Sequence, residues 1–111
     1  VPGLQRELFR LLSRDIGRAA LFAGDWTADQ RVAAFLVGMS RRLSARGFSA
    51  VRFQLTMART DIANYLRLAP ETVSRVLRRM QDDGLLAVER RDVSLLDRDR
   101  IEALAAPILR E

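Results

Sequence analysis

The stretch from Arg59 to Met80, RTDIANYLRLAPETVSRVLRRM, constrains this chain more than any other. Ile62 and Leu66 lie four residues apart and share one helix face, with small Ala63 beside them where two helices must approach closely. Leu68 is placed to plug the turn that follows, and Pro70 suits the first position of a new helix, where its missing N–H forfeits no bond. Val73, Val76, Leu77 and Met80 then recur at helical spacing as a buried face. Two short helices, each with one apolar face and joined by a tight turn, make a helix-turn-helix.

The opposite face of the second helix carries the chemistry. Glu71, Ser74, Arg75 and Arg78 fall at i, i+3, i+4 and i+7, so they form one outward polar stripe. On a helix lying in a major groove, Arg75 can donate twice to guanine O6 and N7, and Glu71 can accept from the cytosine amino group. Ser74 is small enough to let the helix sit close to the bases. As a mere surface ion pair, Glu71 and Arg75 would contribute only about 0.3–0.5 kcal/mol. Flanking the stripe, Arg59, Thr72, Arg78 and Arg79 stand where phosphates would run. Phosphate contacts of that kind set affinity and register without reading sequence.

The rest of the chain reads as a frame for this unit. Leu4 to Phe22 is expected to be an amphipathic helix: Leu4, Leu8, Leu11, Asp15, Arg18 and Phe22 follow a 4-3-4-3-4 spacing, the seam of a coiled coil. Phe9, Leu12, Ile16 and Ala19 add a second apolar stripe, so the helix needs two partners. A second copy of itself with a further domain is the favoured reading, and a helix folded back on its own domain is the alternative. Gly24 to Trp26 is a linker. Thr27 and Gln30 form a capping box that opens a helix carrying Val32, Phe35, Leu36, Met39 and Leu43, and Gly47 supplies its left-handed end. Arg52 to Met57 alternates as a strand. Leu86–Glu89 and Val93–Leu96 form a hairpin through Arg90, Arg91 and Asp92, and a last helix runs from Arg98 to Ala105, stopping before Pro107. Arg90 and Arg91 are then a wing that touches the DNA backbone or the adjacent minor groove, its charge diluted by Glu89 and Asp92. Trp26, Phe48 and Tyr65 sit at helix ends and turns and are assigned to core packing rather than base stacking.

The fold class is therefore mainly α (α+β). A dimerisation helix (1–23) and linker (24–26) precede a winged helix-turn-helix (27–111). At 111 residues the chain holds one compact domain plus an attached helix. It begins with Val1, and it is expected to be part of a longer protein. The absence of cysteine and histidine excludes disulfides, thiolate metal sites and histidine-based catalysis within this segment. No phosphate-binding loop or paired carboxylate site appears either, and an enzyme is excluded. No apolar run is long enough to cross a bilayer, and a cytoplasmic location is expected.

The net charge is +5 with arginine as the sole basic residue, which suits a polyanionic partner. Between Gln30 and Thr60, Arg31, Arg41, Arg42, Arg46, Arg52 and Arg59 meet no acidic residue. Double-stranded DNA is the partner this pattern favours. A winged helix used only for protein interaction, without sequence-specific DNA binding, is the alternative, because the fold hosts many functions.

The residues from Ser40-Arg-Arg-Leu-Ser-Ala-Arg-Gly-Phe-Ser, through Glu71-Thr-Val-Ser-Arg, to Gly84-Leu-Leu resemble the C-terminal domain of the CRP/FNR family. The resemblance covers nearly the whole chain and is nearest to the oxygen-responsive FNR-like branch, for which Glu71-Thr-Val-Ser74-Arg75 is the specific signature. It implies a homodimeric transcription regulator, an activator in type, whose Glu71, Ser74 and Arg75 read TTGAT in the palindrome TTGAT-N4-ATCAA. It implies a β-roll sensor domain before this segment, which in FNR-like proteins holds an iron–sulfur cluster or another effector. RNA polymerase would be a further partner, through the loop Arg46 to Arg52. Three positions depart from the family pattern. Arg67 stands in the turn where glycine is usual, and Ala69 and Ala58 stand where helix caps are usual.

Overall fold

The computed structural model describes residues 26–109. The expected dimerisation helix, with Leu4, Leu8, Leu11, Asp15 and Phe22, lies outside the described residues, as do Gly24 and Asp25 of the linker. Seven elements follow one another: α1 (Ala28–Ala45), β1 (Arg52–Gln54), α2 (Arg59–Leu66), α3 (Pro70–Asp82), β2 (Leu86–Glu89), β3 (Asp92–Leu95) and α4 (Arg98–Leu109).

Helix α1 starts at the capping box read in the sequence. The Gln30 N–H donates to Thr27 Oγ1 at 3.1 Å, and the Thr27 N–H donates back to Gln30 Oε1 at 2.8 Å. From Val32 through Ser40 every residue is buried, so α1 is covered on all sides as a central helix is. It packs mainly on α4 and also on α3. Buried Ser40 stays satisfied by donating its hydroxyl to the Ala50 carbonyl at 2.5 Å. At the end of α1, Gly47 takes φ +87, and the Phe48 N–H reaches back to the Leu43 carbonyl at 2.9 Å. This is the left-handed cap expected there.

The sheet is antiparallel in the order β1-β3-β2, with Val93 of β3 opposite both Phe53 and Val88. Three elements differ in extent from the sequence reading, β3 among them: it spans Asp92–Leu95 rather than Val93–Leu96, because Asp92 already pairs with both Gln54 and Glu89. Strand β1 ends at Gln54 rather than Met57, because its partner runs out: Gln54 faces Asp92, the first residue of β3. Helix α4 continues to Leu109 through Pro107. Ile101, Ala105 and Ile108 make one buried stripe on it. Burying Ile108 outweighs the single backbone bond that a proline in the last turn forfeits. Phe48, expected in the core, is 52% exposed, whereas Tyr65 is buried with its ring 6.3 Å from that of Phe35, and Trp26 packs partly buried against the core.

The two helices of the central unit meet through a strained turn. Arg67 adopts φ 56 and ψ 47, and the Leu68 N–H closes the turn on the Ala63 carbonyl at 2.9 Å. Glycine is the ordinary occupant of such a position, and a side chain there costs energy. The first turn of α3 has no side-chain cap, since Ala69 offers no acceptor. Arg67→Gly should therefore raise stability by about 0.5–1 kcal/mol, the relieved strain less the extra chain entropy of glycine. Urea denaturation checks this; an unchanged or lowered midpoint would show that the arginine is held there without strain.

Candidate nucleic-acid interface

Helix α3 has two opposite faces. Val73, Val76, Leu77 and Met80 are all buried, as their spacing requires, and they fix the rotation of the helix about its axis. Glu71, Ser74, Arg75 and Arg78 are exposed on the other side. With Pro70 they line an open recess of about 550 Å³. The three residues expected to read bases thus stand together, and Arg78 shares their stripe. The recess is walled by a carboxylate, a hydroxyl and two guanidinium groups. These are directional donors and acceptors, suited to the edges of base pairs.

The other expected contact residues are distributed unevenly. Thr72 and Arg59 are half-buried. Burial disfavours the charged form of Arg59 and pushes its pKa below the ordinary arginine value. Arg79 is exposed but turned to the side, where its guanidinium pairs with Asp29 of α1. Arg90 and Arg91 are exposed as the two-residue loop between β2 and β3, and Arg90 takes φ 60. Hairpin loops of this length require a positive φ at their first residue, and arginine accepts it here in place of glycine. The wing is tied down from the other side by the Leu55 N–H, which donates to the Arg91 carbonyl at 2.7 Å.

Three supporting residues escaped the sequence reading. Gln81, in the last turn of α3, accepts from the Val88 N–H at 2.7 Å and so covers the open edge of β2. Asp29 holds Arg79, and Arg31 Nη1 donates to the Leu66 carbonyl at 3.3 Å, at the end of α2. A local signal existed for Gln81 alone, seven residues from its partner. Asp29 and Arg79 lie fifty residues apart, and no spacing rule connects them.

Residues 30–104 match the model of the Crp-like helix-turn-helix domain. The chain belongs to the CRP/FNR family. It is 49% identical over 108 residues to the transcriptional activator protein Anr of Pseudomonas aeruginosa, a match covering 95% of this chain and 44% of that protein. It is 41% identical over 108 residues to the fumarate and nitrate reduction regulatory protein of Escherichia coli, covering 95% of this chain and 43% of that protein. The chain thus spans less than half the length of these relatives, which are regulators and not enzymes. Among solved structures, FixK2 from Bradyrhizobium japonicum superposes with a TM-score of 0.65 at 41% identity, over 73% of this chain and 39% of that one. A putative Crp/Fnr-family transcriptional regulator from Eubacterium rectale superposes at 0.56 with 29% identity, over 86% of this chain and 38% of that one. The architecture is that of a CRP/FNR DNA-binding domain, a winged helix-turn-helix whose second helix is α3.

An iron–sulfur cluster, which the FNR resemblance implies for a preceding sensor domain, does not fit this chain's own residues. They include no cysteine and no histidine, and among the described residues no group of three or more acidic side chains is gathered to hold a metal ion. No helix among the described residues is long and apolar enough to cross a membrane.

Removing the acceptor with Gln81→Ala should cost about 0.5–1 kcal/mol and speed hydrogen exchange at the Val88 amide several-fold, while amides of α1 stay protected. Exchange followed residue by residue checks this. Unchanged protection at Val88 would mean that the wing does not depend on α3.

Proposed function

We propose that this segment is the sequence-reading module of a cytoplasmic transcription regulator that binds as a homodimer to palindromes of the TTGAT-N4-ATCAA type. The observation that carries the reading is the exposed stripe Glu71, Ser74 and Arg75 on a helix whose opposite face is locked into the core. Arg75 takes guanine O6 and N7 in two parallel hydrogen bonds, Glu71 accepts from a cytosine amino group, and Ser74 permits close approach. Arg59, Thr72, Arg78, Arg90 and Arg91 set register on the phosphates, and they make affinity fall steeply with salt.

Homodimerisation through Leu4, Leu8, Leu11, Asp15 and Phe22 doubles the half-site, so that a palindrome mirrors the two-fold symmetry of the protein. The signal enters through a preceding sensor domain carrying a cluster or another effector. RNA polymerase is the second macromolecular partner. Its contact is the loop Arg46 to Arg52, which offers exposed Arg46, Phe48, Val51 and Arg52.

The direct test is a fluorescence-anisotropy titration of the intact palindrome against a duplex with each half-site G·C pair changed to A·T. The wild type should prefer the intact site by about 1–3 kcal/mol per altered pair, and Arg75→Ala should abolish that preference. Equal, salt-dependent binding to both duplexes would mean another target sequence. Binding to neither at low salt would favour a protein-interaction domain.

Charge reversal at Arg46 and Arg52 should leave DNA affinity within about twofold but lower transcription from a palindrome-bearing promoter in vitro, because loop charges remote from the bases act on the second partner. Full transcription by that variant would remove the loop from the polymerase contact.

A further inference from the structure

The first turn of α1 touches both helices of the recognition unit, and it does so with charged groups of opposite sign. Asp29 pairs with Arg79 on the flank of α3. Two residues on, Arg31 Nη1 donates to the Leu66 carbonyl, the last of α2, at 3.3 Å. One turn further, the Phe35 ring meets that of Tyr65 in α2 at 6.3 Å. Between the two anchored points lies the turn held open by left-handed Arg67.

Each contact has an electrostatic reason. A carboxylate is favoured in the first turn of a helix, so Asp29 is well placed on α1 whether or not it is paired. Arg79 follows Arg75 at i+4, and like charges at that spacing repel along a helix. Drawing the Arg79 guanidinium onto Asp29 clears it from Arg75 and leaves the outward stripe to Glu71, Ser74, Arg75 and Arg78. Arg31 places a cation at the negative end of α2, where the unpaired carbonyls of a helix collect. The Asp29 and Arg79 side chains are 37% and 55% exposed, and a pair that open contributes little to folding. Its consequence is orientation.

We propose that Asp29 and Arg31 are positioning residues for DNA reading: the first turn of α1 clamps α2 and α3 at the angle that presents Arg75 and Glu71 to the bases. The clamp rests on the reading of α3 as the recognition helix. It keeps Arg79 paired with Asp29 at the surface in the complex rather than on a phosphate. It also makes the start of α1, directly after Trp26, the place where a displacement reaches both helices at once.

The test measures the ratio of affinities for the intact palindrome and its A·T-substituted control, with the salt dependence of each, for wild type, D29N and D29E. The clamp lowers that ratio about three- to tenfold in D29N, with the thermal midpoint and salt slope near wild type, and D29E restores it. An unchanged ratio in D29N overturns the clamp. If both affinities also rise and the salt slope steepens by about one, Arg79 is a phosphate contact that Asp29 holds back. A wild type that does not discriminate between the duplexes overturns the DNA reading itself, and the clamp falls with it. A discriminating wild type matched by D29N removes the clamp alone.

Discussion

The burial of Val73, Val76, Leu77 and Met80 is the constraint on which the rest depends. Four apolar side chains on one face leave α3 only one rotation about its axis, and that rotation turns Glu71, Ser74, Arg75 and Arg78 to solvent. Fully burying side chains of this size stabilises by about 1.5–3 kcal/mol each, far more than any surface pair on the polar stripe. The polar residues are therefore free to be chosen for recognition, since they contribute almost nothing to holding the helix in place. Function and fold are separated by half a helical turn.

Around α3 the supports are ranked. The all-round burial of α1 from Val32 to Ser40 supplies the rigid mass, with α4 against it. Directional contacts then set angles: Gln81 to β2, Asp29 to Arg79, Arg31 to the end of α2. Two backbone positions run against this economy. Among the described residues, Arg67 and Arg90 are the non-glycine residues with positive φ, one in the turn of the helix-turn-helix and one at the tip of the wing. Glycine would relieve strain at both, but it would also remove a cation from each loop. Strain kept beside a proposed polyanion site is consistent with charge mattering more there than stability.

Most of the fold was legible because its signals are local. The stripe on α3, the Thr27–Gln30 box and the glycine end of α1 are read within one or two helical turns, and each stands where its pattern places it. The errors fell where a distant partner decides. The end of β1 is set by the length of β3, and Pro107 reads as a stop in the sequence although the burial of Ile108 carries α4 past it. A position at a helix end assigns Phe48 to the core as it does Tyr65, but the loop beyond α1 leaves Phe48 exposed. The stripe Glu71, Ser74 and Arg75 was visible in the sequence, but what anchors its flank was not, because Asp29 lies fifty residues from Arg79.

The central claim is that Arg75 reads a guanine edge, and replacing the half-site guanine by 7-deazaguanine tests it most directly. That substitution deletes the N7 acceptor while leaving Watson–Crick pairing intact. The wild type should lose about 1–3 kcal/mol per half-site, and Arg75→Ala should be indifferent to the change. Equal wild-type affinity for guanine and 7-deazaguanine duplexes would contradict the claim and leave α3 without its proposed base contact.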